Sequence, residues 1–154
     1  MMRLEPPGAM PIDNDEGSWV TCAVGPTGFR TAVVARSHTL TADEPTAVGG
    51  SDAGPTPYEF LLMALGGCTA MTLRIYADRK GWPLERATVS VRQARSHEPD
   101  CERCETNTVG VERIQRRIEL VGPLDDDQRK RLMSVADRCP VQQTFEREIR
   151  VETS

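Results

Sequence analysis

YEFLLMALGGCTAMTLRIYADRK, residues 58 to 80, is the stretch that organises the chain. From Phe60 to Ala77 nearly every residue is apolar or small, and charges gather only at Asp78, Arg79 and Lys80. The segment before it supplies a helix start: Thr56 as N-cap, Pro57 at the first helical position and Glu59 in the first turn. Gly81 and Pro83 supply the stop near Lys80. A helix apolar on all sides implies burial on most of them, so the rest of the chain, or a partner, is expected to surround it.

Cys68 lies in the middle of this helix, after Gly66 and Gly67. On a 3.6-residue period it shares a face with Leu61, Ala64, Leu65, Met71, Thr72 and Ile75, which predicts a thiol shielded from bulk water. Each glycine costs roughly 1 kcal/mol of helix propensity relative to alanine. Either a close approach by a neighbouring backbone or open space beside the thiol offsets that cost. Two readings of Cys68 follow: a small hydrophobe packed in the core, or a thiol offered to a small substrate.

Outward from the helix, SWVTCAVGPTGFRTAVVARSHTLTA reads as strand, turn and strand, Ser18–Val24 and Phe29–Arg36. DEPTAVGGSDAGPTP is a loop that delivers the chain to the helix. ERATVSVRQARS and VERIQRRIELVG alternate as two strands, the first with Val89 and Val91 inward and the second with Val111, Ile114 or Ile118 and Leu120. LDDDQRKRLMSVADRC is an amphipathic helix opened by aspartates that suit its N-terminal dipole, with Leu132, Val135 and Ala136 as its buried stripe. PVQQTFE makes a helical turn and REIRVE a last strand. The order ββ, long α, ββ, α, β predicts an α+β fold of antiparallel sheets. Residues 1–17 are expected to form a flexible arm and residues 18–154 a single domain.

Composition narrows the function. At 154 residues, 38% hydrophobic and 27% charged, the chain has the make-up of one globular domain, without eighteen uninterrupted apolar residues. A net charge of −4 gives no electrostatic basis for binding nucleic acid. The run Arg129–Arg131 reads as a solvated helix face. No secretory signal opens the sequence, so no membrane partner and a cytoplasmic location are expected. Five cysteines are too few and scattered for a stapled scaffold, which leaves thiols for redox or metal chemistry.

Cys139, in ADRCPVQQ, precedes Pro140. If Pro140 opens a helical turn, the sulfur sits at a helix N-terminus, where a thiolate is favoured; the alternative is a cysteine plugging the junction between helices. Two thiols in reach of each other can reduce a peroxide: one attacks the O–O bond and becomes a sulfenic acid, and the other condenses with it to a disulfide. In HEPDCERCE, His97, Cys101 and Cys104 offer three zinc ligands, with Cys22, Glu105 or a partner's residue as a fourth. A dithiol relay and a loop pair without function are the other readings. Trp19 and Trp82 read as packing residues. GGSDAG lacks the lysine of a phosphate loop, and two histidines without a nucleophile elbow make no serine triad.

GGSDAGPTPYEFLLMALGGCTAMTLRIYADRKGWPLE and ADRCPVQQTF resemble the two cysteine motifs of the OsmC/Ohr family, the osmotically induced and organic hydroperoxide resistance proteins. The resemblance spans roughly Trp19 to Val151. It implies an OsmC-like fold with antiparallel sheets around a long buried central helix, an intertwined homodimer, and reduction of organic hydroperoxides by a thiol-dependent peroxidase; the alternative is a non-catalytic OsmC-like protein that binds zinc or senses redox state through His97, Cys101 and Cys104. It implies no organic cofactor and an external dithiol as reductant. By the same resemblance Cys68 is the peroxidatic cysteine, Cys139 the resolving one, and Glu59 the partner of an arginine beside the thiolate. Nine residues advance a helix by about 13.5 Å and about 900°, so Glu59 faces away from Cys68 of its own chain and a crossed dimer would bring it to the other. The arginine is assigned to Arg36 at the end of the second strand, with His38 on the same strand face as its competitor. An apolar wall of Leu61, Leu65 and Met71 predicts a preference for organic peroxides. The chain departs from the pattern in a longer loop over residues 41–56 and in Gln142, where related branches carry histidine.

Overall fold

The computed structural model describes residues 19–95 and 112–153. The expected arm, residues 1–17, lies outside them. The chain divides into two compact units, Met1–Phe60 and Leu61–Ser154.

The first unit holds a three-stranded antiparallel sheet: β1 (Val20–Val24), β2 (Thr31–Ala35) and β3 (His38–Ala42), in that order. The expected hairpin is present, and a third strand extends it. Ala35 pairs with His38, which leaves Arg36 and Ser37 as a two-residue turn. Turns this tight need a positive φ at their first central residue, and Arg36 adopts φ 56°. Arg36 therefore lies in a turn rather than on the second strand, and it shares no strand face with His38, which opens β3. No glycine or asparagine marks this turn, which is why β3 escaped the sequence pattern. Trp19, expected to pack, is 75% exposed.

The long loop after β3 is built around one carboxylate. Asp43, 2% exposed, accepts hydrogen bonds from the Glu44 amide (2.8 Å), the Ser51 amide (3.1 Å), the Ser51 hydroxyl (2.6 Å) and the Ala53 amide (3.1 Å). Between these anchors the chain makes a short 3₁₀ turn, Thr46–Val48. Gly50 passes so close to the Glu44 carbonyl that any Cβ would collide with it.

The helix α1 (Pro57–Lys80) has the predicted bounds. Its start is a reciprocal cap: the Thr56 amide donates to Glu59 Oε2 (2.8 Å) and the Glu59 amide donates to Thr56 Oγ1 (3.2 Å). In the second unit α1 runs into the hairpin of β4 (Arg86–Arg95) and β5 (Glu112–Val121), then α2 (Asp126–Ala136) and α3 (Pro140–Phe145). Strands β4 and β5 pair antiparallel over ten residues. The core joins Leu73 and Ala77 of α1, Leu84, Leu124, and Leu132 and Ala136 of α2, with Tyr76, Trp82, Val89, Ile118 and Leu120 packed against it. Trp82 meets Tyr76 edge-on at 5.6 Å.

Helix α2 starts as its aspartates predict, with a capping box between Asp125 and Gln128. Arg129 is not simply solvated: it donates to the carbonyls of Leu120 (2.8 Å) and Gly122 (2.9 Å), tying α2 to the end of β5.

Two expectations are corrected. Helix α1 is buried along one side, through Leu65, Gly66, Thr69, Leu73 and Ala77, and not on most sides. Leu61, Met63, Met71 and Ile75 are 47–67% exposed. By length and a mean hydropathy of 1.5 the helix matches a membrane span, but its buried side belongs to the core just described. The expected last strand, REIRVE, is irregular and exposed. A strand needs a neighbour for its backbone groups, and this segment pairs with none of the described strands.

The hydrogen bonds to Asp43 lower its pKa from 3.8 to about 2, the Ser51 hydroxyl first and the Ala53 amide next. A depressed folded-state pKa gives stability that is complete above the unfolded value and is lost as pH falls from about 4 through about 2. Asp43→Asn is expected to lower the thermal midpoint at pH 7, and its difference from the parent protein is expected to shrink between pH 4 and pH 2. An unchanged difference over that range in scanning calorimetry would show that the carboxylate charge is not what orders the loop.

Candidate functional site

The second unit brings Cys68 and Cys139 together. Cys139 is the N-cap residue of α3, with Pro140 at the first helical position as the sequence predicts. It is 0% exposed, whereas Cys68 is half-buried at the border between the packed and open sides of α1. The two thiols interact directly.

The neighbours of the two sulfurs push them in opposite directions. Burial first, then the hydrogen bond to Cys139, raises the Cys68 pKa, against weaker lowering by the Val141 amide and the Thr72 hydroxyl. Burial also pushes Cys139 up, but hydrogen bonds from Cys68, the Gln142 amide, the Thr69 hydroxyl and the Val141 amide outweigh it, and the net direction is down. The pair therefore titrates as a unit. The donors around Cys139 favour the negative charge of the pair on that sulfur, and burial favours the proton on Cys68.

The two glycines before Cys68 have separate reasons. A Cβ on Gly66 would meet Val91 Cγ2 at 3.3 Å, so this glycine admits β4 to the helix; a Cβ on Gly67 would meet nothing within 4 Å. Close approach and open space are both realised, one at each position.

A residue that sequence reasoning missed holds the thiol pair in place. Arg116 of β5 donates from Nη1 to Thr69 Oγ1 (3.1 Å), the Ala136 carbonyl (3.2 Å) and Gln142 Oε1 (3.0 Å), and from Nη2 to Asp137 Oδ1 (2.7 Å). One guanidinium thus ties β5 to α1, to the end of α2 and to the first turn of α3. The signal was present: Arg116 falls on the inward phase of VERIQRRIELVG, two residues before Ile118 and four before Leu120. A charged residue on an apolar strand face needs polar partners inside. Gln142 is one of them, and its amide also donates to Glu146 (2.8 Å).

Arg36 and Glu59 belong to the other unit. Arg36 is exposed in its turn, and one oxygen of Glu59 is engaged in the helix cap. Cys22 is an exposed free thiol on β1, paired with Val33. His97, Cys101, Cys104 and Glu105 lie outside the described residues. Among the described residues no three His, Cys, Asp or Glu side chains cluster to hold a metal.

Residues 49–154, well over half of the chain, match the family model described as "OsmC-like protein". The chain belongs to the OsmC-like family. The solved OsmC-like protein of Mycoplasma pneumoniae superposes with a TM-score of 0.68 at 21% identity, over 86% of this chain and 89% of that one. An organic hydroperoxide resistance protein OsmC from Legionella pneumophila gives 0.58 at 14% identity, over 86% and 91%. One from Elizabethkingia anophelis gives 0.62 at 13%, over 85% and 90%. At these identities the likeness establishes the OsmC-like fold. No curated protein gives a significant match.

The interaction of the two thiols makes a disulfide between them the expected product of oxidation in this OsmC-like chain. Diamide treatment of the reduced protein is expected to give a Cys68–Cys139 linked peptide on non-reducing mass mapping, and Cys139→Ser to remove it. Linkage of either cysteine to Cys22 instead would contradict the geometry.

Proposed function

We propose that this OsmC-like protein is a thiol-dependent peroxidase that reduces organic hydroperoxides to alcohols. The observation that carries the reading is the direct contact of a half-exposed thiol, Cys68, with a fully buried one, Cys139, beside open space at Gly67. A peroxide from solvent reaches Cys68 first. The Cys68 proton passes across the shared hydrogen bond to Cys139, and the Cys68 thiolate attacks the distal peroxide oxygen. The O–O bond breaks, the alkoxide takes a proton and leaves as alcohol, and Cys68 becomes a sulfenic acid. The Cys139 thiol then attacks the Cys68 sulfur and water leaves, closing the disulfide. Two electrons pass from the thiols to the peroxide, and an external dithiol returns them.

The apolar side chains of Leu61 and Met71 along the open side of α1 favour an alkyl peroxide over hydrogen peroxide, since buried apolar area contributes roughly 25 cal/mol per Å². The same exposed face supports a homodimer, because a contiguous apolar surface marks an interaction site. In this reading Arg36 and Glu59 serve the Cys68 thiolate across the dimer. A reducing, cytoplasmic setting completes it, as free thiols are the working state.

Cumene hydroperoxide is expected to be consumed in the presence of dithiothreitol, and Cys68→Ser to lower the rate by at least a hundredfold while the circular dichroism spectrum is preserved. Turnover retained in that variant rejects the assignment of Cys68. Sedimentation velocity is expected to give a dimer that Met71→Asp converts to monomer; a monomeric parent protein at micromolar concentration would remove the crossed site.

A further inference from the structure

The thiol pair sits on a polar relay whose function the peroxide step leaves unused. The Thr69 hydroxyl carries one hydrogen and has two acceptors for it: the Leu65 carbonyl, at 2.8 Å, and the Cys139 sulfur. The hydrogen is donated to the Leu65 carbonyl; a Cys139 thiolate would compete for it as the stronger, charged acceptor. Arg116 Nη1 donates to the same hydroxyl oxygen at 3.1 Å, which polarises the O–H and makes it a better donor to sulfur. Arg116 is itself held: its side chain is 15% exposed and bound to Asp137, Ala136 and Gln142.

We infer that Arg116, acting through the Thr69 hydroxyl, is a positioning residue that makes Cys139 the leaving thiolate when a Cys68–Cys139 disulfide is reduced by an external thiol. The inference rests on the thiol-pair reading above and concerns its other half-reaction. An incoming thiolate reaches the half-exposed Cys68 sulfur, because Cys139 is 0% exposed. It bonds to Cys68, the S–S bond breaks, and the electron pair leaves on Cys139. A second thiolate attacks the incoming sulfur of the mixed disulfide, releasing Cys68 as thiolate, which takes up a proton, and carrying away the oxidised reductant as its own disulfide. Disulfide exchange is faster when the leaving thiol has the lower pKa. The groups that act on the departing thiolate are Cys68 and Thr69 from α1 and the amides of Val141 and Gln142 from α3; the charged Arg116 of β5 reaches it through Thr69, with Asp137 bound to its other nitrogen. The lowered Cys139 pKa agrees with this arrangement.

The test uses the full chain with its disulfide formed by diamide and equilibrated at pH 7 against a dithiothreitol redox buffer, the oxidised fraction being read by peptide mass after acid quench. Thr69→Val, close in shape but without the hydroxyl, is expected to shift the equilibrium about tenfold toward the disulfide, equivalent to about 30 mV for a two-electron couple. Arg116→Met is expected to shift it the same way, and Thr69→Ser to restore the parent value within about twofold. A purely structural role predicts the opposite sign, since a displaced cysteine makes the disulfide harder to close. A shift toward the dithiol, or none, overturns the inference. If Arg116→Met fails to fold, the Thr69 pair carries the same test. Brief exposure of the oxidised protein to 2-mercaptoethanol should trap the adduct on Cys68; an adduct on Cys139 overturns the leaving-group assignment. Peroxide enters neither measurement, so lack of peroxidase turnover would reject the proposed function alone, and failure of the diamide disulfide would reject the thiol pair itself.

Discussion

The position of the second sulfur depends on one guanidinium. Arg116 reaches from the middle of β5 to three other elements, and the two hydrogens of its Nη1 are shared among three oxygens. Its contact with Asp137 is an ion pair, but Asp137 is 68% exposed, so that pair contributes only about 0–1 kcal/mol. The neutral acceptors matter more. They sit where water competes less, and a hydrogen bond to a charged group there is worth about 1.5–3 kcal/mol. Lysine could not substitute, because a single ammonium offers no planar fork that spans a helix end, a hydroxyl and an amide. The short helix α3, with six residues, has little intrinsic stability of its own; its first turn is fixed by Gln142 on Arg116, and Cys139 is fixed with it.

That arrangement explains why two similar thiols differ. Both lose solvation, which favours the neutral form of each. Cys139 also receives two backbone amides, a hydroxyl and the proton of its partner, while Cys68 gives that proton and receives only the Val141 amide and the Thr72 hydroxyl. The difference is one of donors. Access runs the other way, since the more acidic sulfur is the buried one. The geometry therefore separates acidity from reach: the sulfur whose pKa is lowered is hidden, and the sulfur that a solvent molecule meets has its pKa raised, which favours its proton. Chemistry at Cys68 needs that proton to move over a single hydrogen bond, a step for which the acceptor is already in place.

Much of this was legible in the sequence and the rest had physical reasons to be hidden. The bounds of α1 and the buried stripe of α2 follow from caps, stops and a 3.6-residue period, all local signals. Pro140 announced the cap at Cys139 for the same reason. Strand β3 was missed because its turn uses arginine at positive φ, a choice that local preference disfavours and tertiary context permits. The final strand was over-read: alternation in REIRVE describes a side-chain pattern and says nothing about whether a pairing edge exists. The inward phase of Arg116 on β5 was legible, but its partners come from positions 69, 136, 137 and 142, a proximity no spacing rule contains. His97, Cys101 and Cys104 lie outside the described residues.

The two faces of α1 tie these points together. A helix with apolar residues all round but only one packed side has a second side whose Leu61, Met71 and Ile75 remain 47–67% exposed. Leaving three such side chains about half in water forgoes on the order of 1 kcal/mol each relative to full burial. The half-buried thiol lies on the boundary of that face, next to a glycine with empty space above it. Whatever covers the apolar side must therefore leave room at Gly67 if solvent molecules are to reach Cys68, and it would set the shape of the entrance. The homodimer proposed above would meet both demands if it lay along α1, because glycine leaves no side chain at position 67.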